Sequence, residues 1–189
     1  KIETLRRIVQ EVNTAESLDI TLNIIVRRVK HAMDTEVCRV YLHDIASKKL
    51  IFSATEGLNQ NQVGIATLDE GAGLVGLVAS REETINLESA QSHPNFQFVP
   101  GIGEESFKAF LGVPIIHQRR VLGVLIVQQS AKRRFDESEE AFLITLSAQL
   151  AGVIAHSQVA GAIQQQASSG SESHTQVKGI VGSPGIGVG

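Results

Sequence analysis

The sequence predicts an α+β fold: a central antiparallel sheet, helices from both chain ends on one face, short helices and loops on the other. Three observations predict it. Two apolar runs, 109–116 and 121–127, are rich in β-branched residues and too short for buried helices, and the polar turn His117-Gln118-Arg119-Arg120 joins them. Neither run alternates cleanly between apolar and polar residues. That is the pattern of strands covered on both faces, so the pair reads as a hairpin at the middle of a sheet. Stretches with helical spacing stand at both ends of the chain. Pro114 has no N–H to give a ladder, so it has to sit at a bulge or an unpaired position.

The elements follow in order. Ile2, Leu5, Ile8, Val9 and Val12 recur at helical spacing and predict a short amphipathic helix over 2–13. After a break at 13–16, Ser17 caps a second helix, with Asp19 at the positive end of its dipole. Leu18, Leu22, Ile25, Val29 and Met33 make its apolar stripe, and Arg27, Arg28, Lys30 and His31 its solvated face. It ends near 32–34. Residues 36–43 and 50–55 are the first two strands, hairpinned across 44–49. Gly57 ends the pair, 59–62 is a polar loop, and 63–68 is a candidate third strand. Gly71 and Gly73 form a hinge into a short helix over 74–79. Ile85-Asn86-Leu87 is a brief strand. Residues 88–103, with two prolines, two glycines and two phenylalanines, form a long irregular segment of the kind that often binds something.

Beyond the central hairpin, Asp136 and Glu139 spell a capping box for a helix over 137–165, roughly 40–45 Å long. Its seam runs Phe142, Leu146, Leu150, Val153, Ser157, Ala160. Such a helix outruns one small sheet. Its second half, with Val153, Val159 and Ile163, is predicted to project and to pair with the same helix of a second copy. The alternative is a frayed end without a partner. From Gln164 onward the chain is rich in Ser, Gln and Gly, and the last residues are apolar again. The expected organisation is a domain over 1–165, a flexible linker over 166–178, and over 179–189 the first strand of a second domain, cut short in a fragment of a longer protein.

Composition sets limits. The chain has 189 residues, 42% of them hydrophobic, enough to bury a core. A net charge of −3 and a pI near 6.1 give no overall pull toward nucleic acid or an anionic membrane, and neither is expected as a partner. No run approaches the roughly 18–20 apolar residues of a membrane span. The N-terminus does not read as a secretory signal, and the single cysteine, Cys38, fits a reducing cytoplasm. The six histidines are scattered without metal-ligand spacing, and Cys38 has no CxxC partner, so no metal site is expected. Cys38 reads as a small buried hydrophobe rather than a redox sensor. Gly73-Leu74-Val75-Gly76 is not a P-loop, since no Gly-Lys-Ser/Thr follows. No catalytic residue is assigned.

The ordered set Val37-Cys38-Arg39-Val40-Tyr41-Leu42, Glu70-Gly71 with Leu74-Val75-Gly76, Ala109 through Ile115, Leu122-Gly123-Val124-Leu125 and Phe135-Asp136 resembles the GAF family of small-molecule sensor modules, over about residues 17–160. MDTEVCRVYL, FLGVPII and the terminal SPGIGVG together resemble the nitrogen-type enzyme I family of phosphoenolpyruvate–protein phosphotransferases. That resemblance implies a GAF fold with a ligand pocket under the short helices. It implies a regulatory domain that controls autophosphorylation of downstream enzyme I domains, with glutamine or 2-oxoglutarate as effector. Ser183-Pro184-Gly185-Ile186 would then open the phosphohistidine domain, and the phosphorylated histidine would lie beyond residue 189. The fragment itself is expected to have no enzymatic activity. Mg2+ and the nitrogen-type phosphocarrier protein would belong to the full-length phosphotransferase.

The expected ligand-binding residues are Arg39, Tyr41, Ser53, Thr55, Gly73, Leu74, Phe107 and Phe110. Alternation puts Arg39 and Tyr41 on the face that floors the pocket in GAF domains. Arg39 stands where the family often has a small serine. A guanidinium there suits a carboxylate, held through two parallel hydrogen bonds. The alternatives are an internal salt bridge to Glu88 or Glu56, exposure at the sheet edge, or an arginine that fills the pocket. Ser53 and Thr55 are predicted to share one face of the second strand. The helix start at Gly73-Leu74 offers N–H groups to an anion, or is an ordinary turn. Phe107 and Phe110, with Phe96 and Phe98, supply walls and lid or plain core. Lys132-Arg133-Arg134 reads as a self-compensating surface. The competing function is a dimerisation module with a closed pocket, joined through the terminal helices.

Overall fold

Helices α1 (Ile2–Asn13) and α2 (Leu18–Met33) lead into strands β1 (Val37–Asp44) and β2 (Lys49–Glu56). The edge strand β3 (Thr67–Asp69), helix α3 (Gly73–Arg81) and strand β4 (Ile85–Leu87) follow. The hairpin β5 (Ala109–His117) and β6 (Arg120–Gln129) precedes helix α4, Glu137–Gln158. The computed structural model describes residues 2–13, 17–96 and 107–158. Two compact units divide the chain, Lys1–Ile154 and Ala155–Gly189, and the sheet belongs to the first. The break at 14–16, the segment 97–106 and the predicted linker and second-domain strand lie outside the described residues.

Local chemistry sets the element ends. Ser17 Oγ accepts the Ile20 N–H at 3.3 Å as the N-cap of α2, and Asp34 closes that helix in a left-handed conformation. At the start of α4 the capping box closes in both directions: Asp136 Oδ1 accepts the Glu139 N–H at 2.8 Å, and Glu139 Oε1 accepts the Asp136 N–H at 2.9 Å. The β5–β6 turn holds Gln118 and Arg119 at φ 50° and 65°, the two positive angles of a type I′ turn, without the usual Asn or Gly. Pro114 lies past the end of the β4 pairing and next to an irregularity between Ile115 and Ile116.

Among the described residues six strands form one antiparallel sheet in the order β3-β2-β1-β6-β5-β4, so the hairpin is interior as expected. Register assigns the faces. Val37, Arg39 and Tyr41 of β1 pair with Gln128, Ile126 and Val124 of β6, which pair in turn with Phe110, Gly112 and Pro114 of β5. This face lies under α3: Leu74, Val75 and Val78 share an apolar core with Tyr41, Phe52, Phe110, Val124 and Ile126. Each fully buried large apolar side chain there contributes roughly 1.5–3 kcal/mol. Gly112 makes the close approach possible, since a Cβ on it would come within 3.2 Å of Val78 Cγ2. On the opposite face β1 and β2 pack against α2.

Three expectations change. The third strand forms only at Thr67–Asp69. Gly64, at φ 83°, breaks the run, and its N–H donates to the Phe52 carbonyl at 2.7 Å from a turn instead. The α4 seam is Phe142, Leu143, Leu146, Ser147, Leu150, Ala151 and Ile154, with Val153 half-buried, because a period of 3.6 carries the buried stripe past Val153. By length and composition α4 is also apolar enough to cross a membrane, which the residue runs did not suggest. Its seam is buried in the protein, as in the core helix of a globular domain.

Candidate functional site

Beside the apolar core under α3 the described residues include a buried polar cluster centred on Arg39. Arg39 is 2% exposed on the interior strand β1, which excludes the sheet-edge alternative. Its Nε donates to Gln128 Oε1 at 2.9 Å, and its Nη1 donates to the Tyr41 hydroxyl at 2.9 Å. The guanidinium carbon lies 5.3 Å from the Tyr41 ring centroid, and the Tyr41 ring stacks on Phe52 at 5.3 Å. Gln128 and Tyr41 are both neutral, and both orient the guanidinium. Gln128 in turn pairs in register with Phe110.

Thr55 pairs with Arg39 across β1–β2 and is buried, its hydroxyl 3.5 Å from the Cys38 carbonyl. Ser53 does not join it. The β1–β2 register shifts between Val40 and Tyr41, so Phe52 stands opposite Tyr41 and Thr55 opposite Arg39. The bulge turns Ser53 off that face, and its hydroxyl donates to the Ile51 carbonyl at 2.7 Å. The prediction that Ser53 and Thr55 share a face therefore fails, for want of the one extra residue a bulge inserts.

Gly73 begins α3 at φ 64°, behind Ala72, which makes no side-chain cap. Leu74 is buried in the α3 core, as is Phe110. Phe107 is buried where the described chain resumes, and Phe96 packs half-buried on the same core. Phe98 lies outside the described residues. One layer thus brings together Arg39, Tyr41, Thr55, Leu74 and Phe110. Gln128 was missed, although a polar residue two places beyond Ile126 on the same face marks it once the register is known.

The other candidates are quieter. Burial pushes the Cys38 thiol far above its ordinary range, which keeps it protonated and unreactive. Among the described residues no group of three His, Cys, Asp or Glu could hold a metal ion. Arg133 pairs with Glu139 and donates to Gln129 Oε1 at 2.9 Å, so part of the basic cluster is compensated within the fold. An open groove of about 630 Å³ lies beyond the far end of β1, where His43 contacts Glu70 beside Glu82, Arg119 and Arg120.

Comparison with known proteins places this geometry. The model of the GAF domain matches residues 17–154. The chain is 44% identical over 184 residues to the Escherichia coli protein described as phosphoenolpyruvate-dependent phosphotransferase system, covering 97% of the chain but 24% of that protein. It spans about a quarter of the length of the curated relatives it matches. The crystal structure of the GAF domain from an Acinetobacter phosphoenolpyruvate-protein phosphotransferase is 47% identical, with TM-score 0.78, over 84% of this chain and 94% of that one. The corresponding GAF domain from Coxiella burnetii is 43% identical, with TM-score 0.81, over 85% and 96%.

Proposed function

This chain belongs to the GAF domain family, among the GAF domains of phosphoenolpyruvate-protein phosphotransferases, and from that premise we propose that it is a regulatory sensor of small carboxylate metabolites. One observation carries the reading: a buried guanidinium held in a set orientation on the α3 face, with Gln128 and Tyr41 among its partners, beside the apolar core under α3. A planar fork held in place recognises a carboxylate with little further loss of side-chain freedom. Glutamine and 2-oxoglutarate both carry one. The effector adjusts the autophosphorylation of downstream enzyme I domains, so the module answers to nitrogen status in the cytoplasm. The likeness to the Escherichia coli protein covers 97% of the chain and so runs past residue 154; on this reading a linker over 166–178 leads to a phosphohistidine domain that opens within 179–189. Phosphotransfer, its Mg2+ and the phosphocarrier partner belong to those later domains. Calorimetric titration of this chain with glutamine and with 2-oxoglutarate tests the sensor. Saturable heat at millimolar ligand or below is expected from one of them, lost in Arg39→Met. No heat and no thermal shift with either would sink it.

A second reading, homodimerisation through the terminal helices, rests on the outer side of α4, where Ala141, Thr145 and Ala148 are exposed beside Ile144, 44% exposed. Light scattering at tens of micromolar decides it, and a monomer at that concentration removes it.

A further inference from the structure

Among the described residues five non-glycine residues have left-handed backbone, and three of them, Glu82, Gln118 and Arg119, line one place. That place is the groove of about 630 Å³ beyond the far end of β1. An L-residue adopts such backbone at a cost, and residues held that way gather at functional sites. The groove is separate from the Arg39 cluster. His43, on its lining, stands four residues along β1 from Arg39, about 13 Å at an ordinary strand rise. The groove carries charge of both signs. Glu82 closes the C-terminal end of α3, where the helix dipole is negative. Arg119 and Arg120 line it from the β5–β6 turn. Glu70 is engaged by His43. Among the described residues no hydrogen bond or ion pair holds the side chain of Glu82, Arg119 or Arg120. Two guanidiniums and one carboxylate therefore open on one groove without compensation.

We propose that this groove binds amino dicarboxylates, the class of glutamate and aspartate. The molecule that completes the pattern carries two anionic groups and one cationic group on a short stem. Its carboxylates take the forks of Arg119 and Arg120. Its ammonium takes Glu82 and the negative end of α3. Its methylenes lie on the apolar lining of Ile45 and Val121. Charge balance sets the selectivity. A dicarboxylate without an amine leaves Glu82 uncompensated, and a neutral amino acid leaves one guanidinium unpaired. The three charged residues are exposed, so water and salt screen the contacts and binding is weak and salt-sensitive. The site goes beyond the sensor reading and needs nothing from Arg39.

Calorimetric titration of the whole chain at low salt, with L-glutamate, L-aspartate, glutarate and L-glutamine as probes, tests it. L-Glutamate or L-aspartate is expected to bind about fivefold or more tighter than glutarate and L-glutamine, and to weaken as salt is added. Glu82→Gln is expected to bring L-glutamate and glutarate within about twofold of each other, because the ammonium loses its partner. Arg119→Gln is expected to do the same for L-glutamate and L-glutamine, because one carboxylate loses its fork. Both substitutions fall on exposed residues, and an unchanged melting temperature shows that each variant folds. Arg39→Met is expected to keep the affinity for L-glutamate within about twofold of wild type. No saturable heat from L-glutamate or L-aspartate at millimolar concentrations overturns the proposal, as do preferences left intact in both Glu82→Gln and Arg119→Gln. Loss of L-glutamate binding in folded Arg39→Met also overturns it, and moves that ligand to the Arg39 cluster.

Discussion

Arg39 shows why a strand residue can be assigned to a face from the sequence while its neighbours cannot. Alternation along a short strand was enough to place it with Tyr41. Thr55 joined them only because a bulge shifted the β2 register, and a bulge leaves no mark in composition. Gln128 was hidden because its partner lies 89 residues away. Substituting Arg39 by Met strips a donor from Gln128 Oε1 and from the Tyr41 hydroxyl inside the protein. Urea unfolding should register a loss of about 1–3 kcal/mol. Arg39→Lys keeps the charge but not the fork, so it should fall well short of wild type; full recovery would mean that charge alone matters. Cys38 provides a control for integrity. A thiol reagent at pH 8 should label it in the unfolded chain and leave it untouched in the native one, because burial keeps the thiolate from forming. Prompt native labelling would revive a redox role.

Among elements, the most legible were those written in a few adjacent letters. The capping box at Asp136 and Glu139 formed as read, both bonds included. Asp136→Ala should lower stability by about 1 kcal/mol, measured as a drop in the denaturation midpoint with unchanged m-value. The hairpin turn was placed correctly, but its geometry was not legible, since Gln118 and Arg119 carry none of the residue preferences of a type I′ turn. Left-handed backbone costs an ordinary L-residue roughly 1–2 kcal/mol. Replacing the pair by Asn-Gly should therefore stabilise the domain by about 1 kcal/mol, and a lower melting temperature would show that the side chains at 118 and 119 earn their place by contacts instead. The third strand was overextended for the opposite reason, because Gly64 interrupts a run whose composition is otherwise strand-like.

For the whole molecule, the layer order was legible because apolar runs without alternation mark strands covered on both faces. The strand order was not, since nothing in either sequence segment announces that β1 pairs with β6. Those two strands stand at the centre, each hydrogen-bonded on both sides, while β3 and β4 form three-residue edges. Amides of β1 and β6 should exchange only through global unfolding and those of β3 through local fraying, a hierarchy that native-state exchange reads directly. Equal protection across the sheet would contradict it. The same centre governs how the protein comes into being. Arg39 leaves the ribosome before Gln128, so while the 89 positions that separate them are made the inner edge of β1 waits as an open template. Neither the Arg39 cluster nor the sheet that carries it can assemble before β6 emerges. The domain therefore closes in one step, after β6 and the buried seam of the last helix have both emerged.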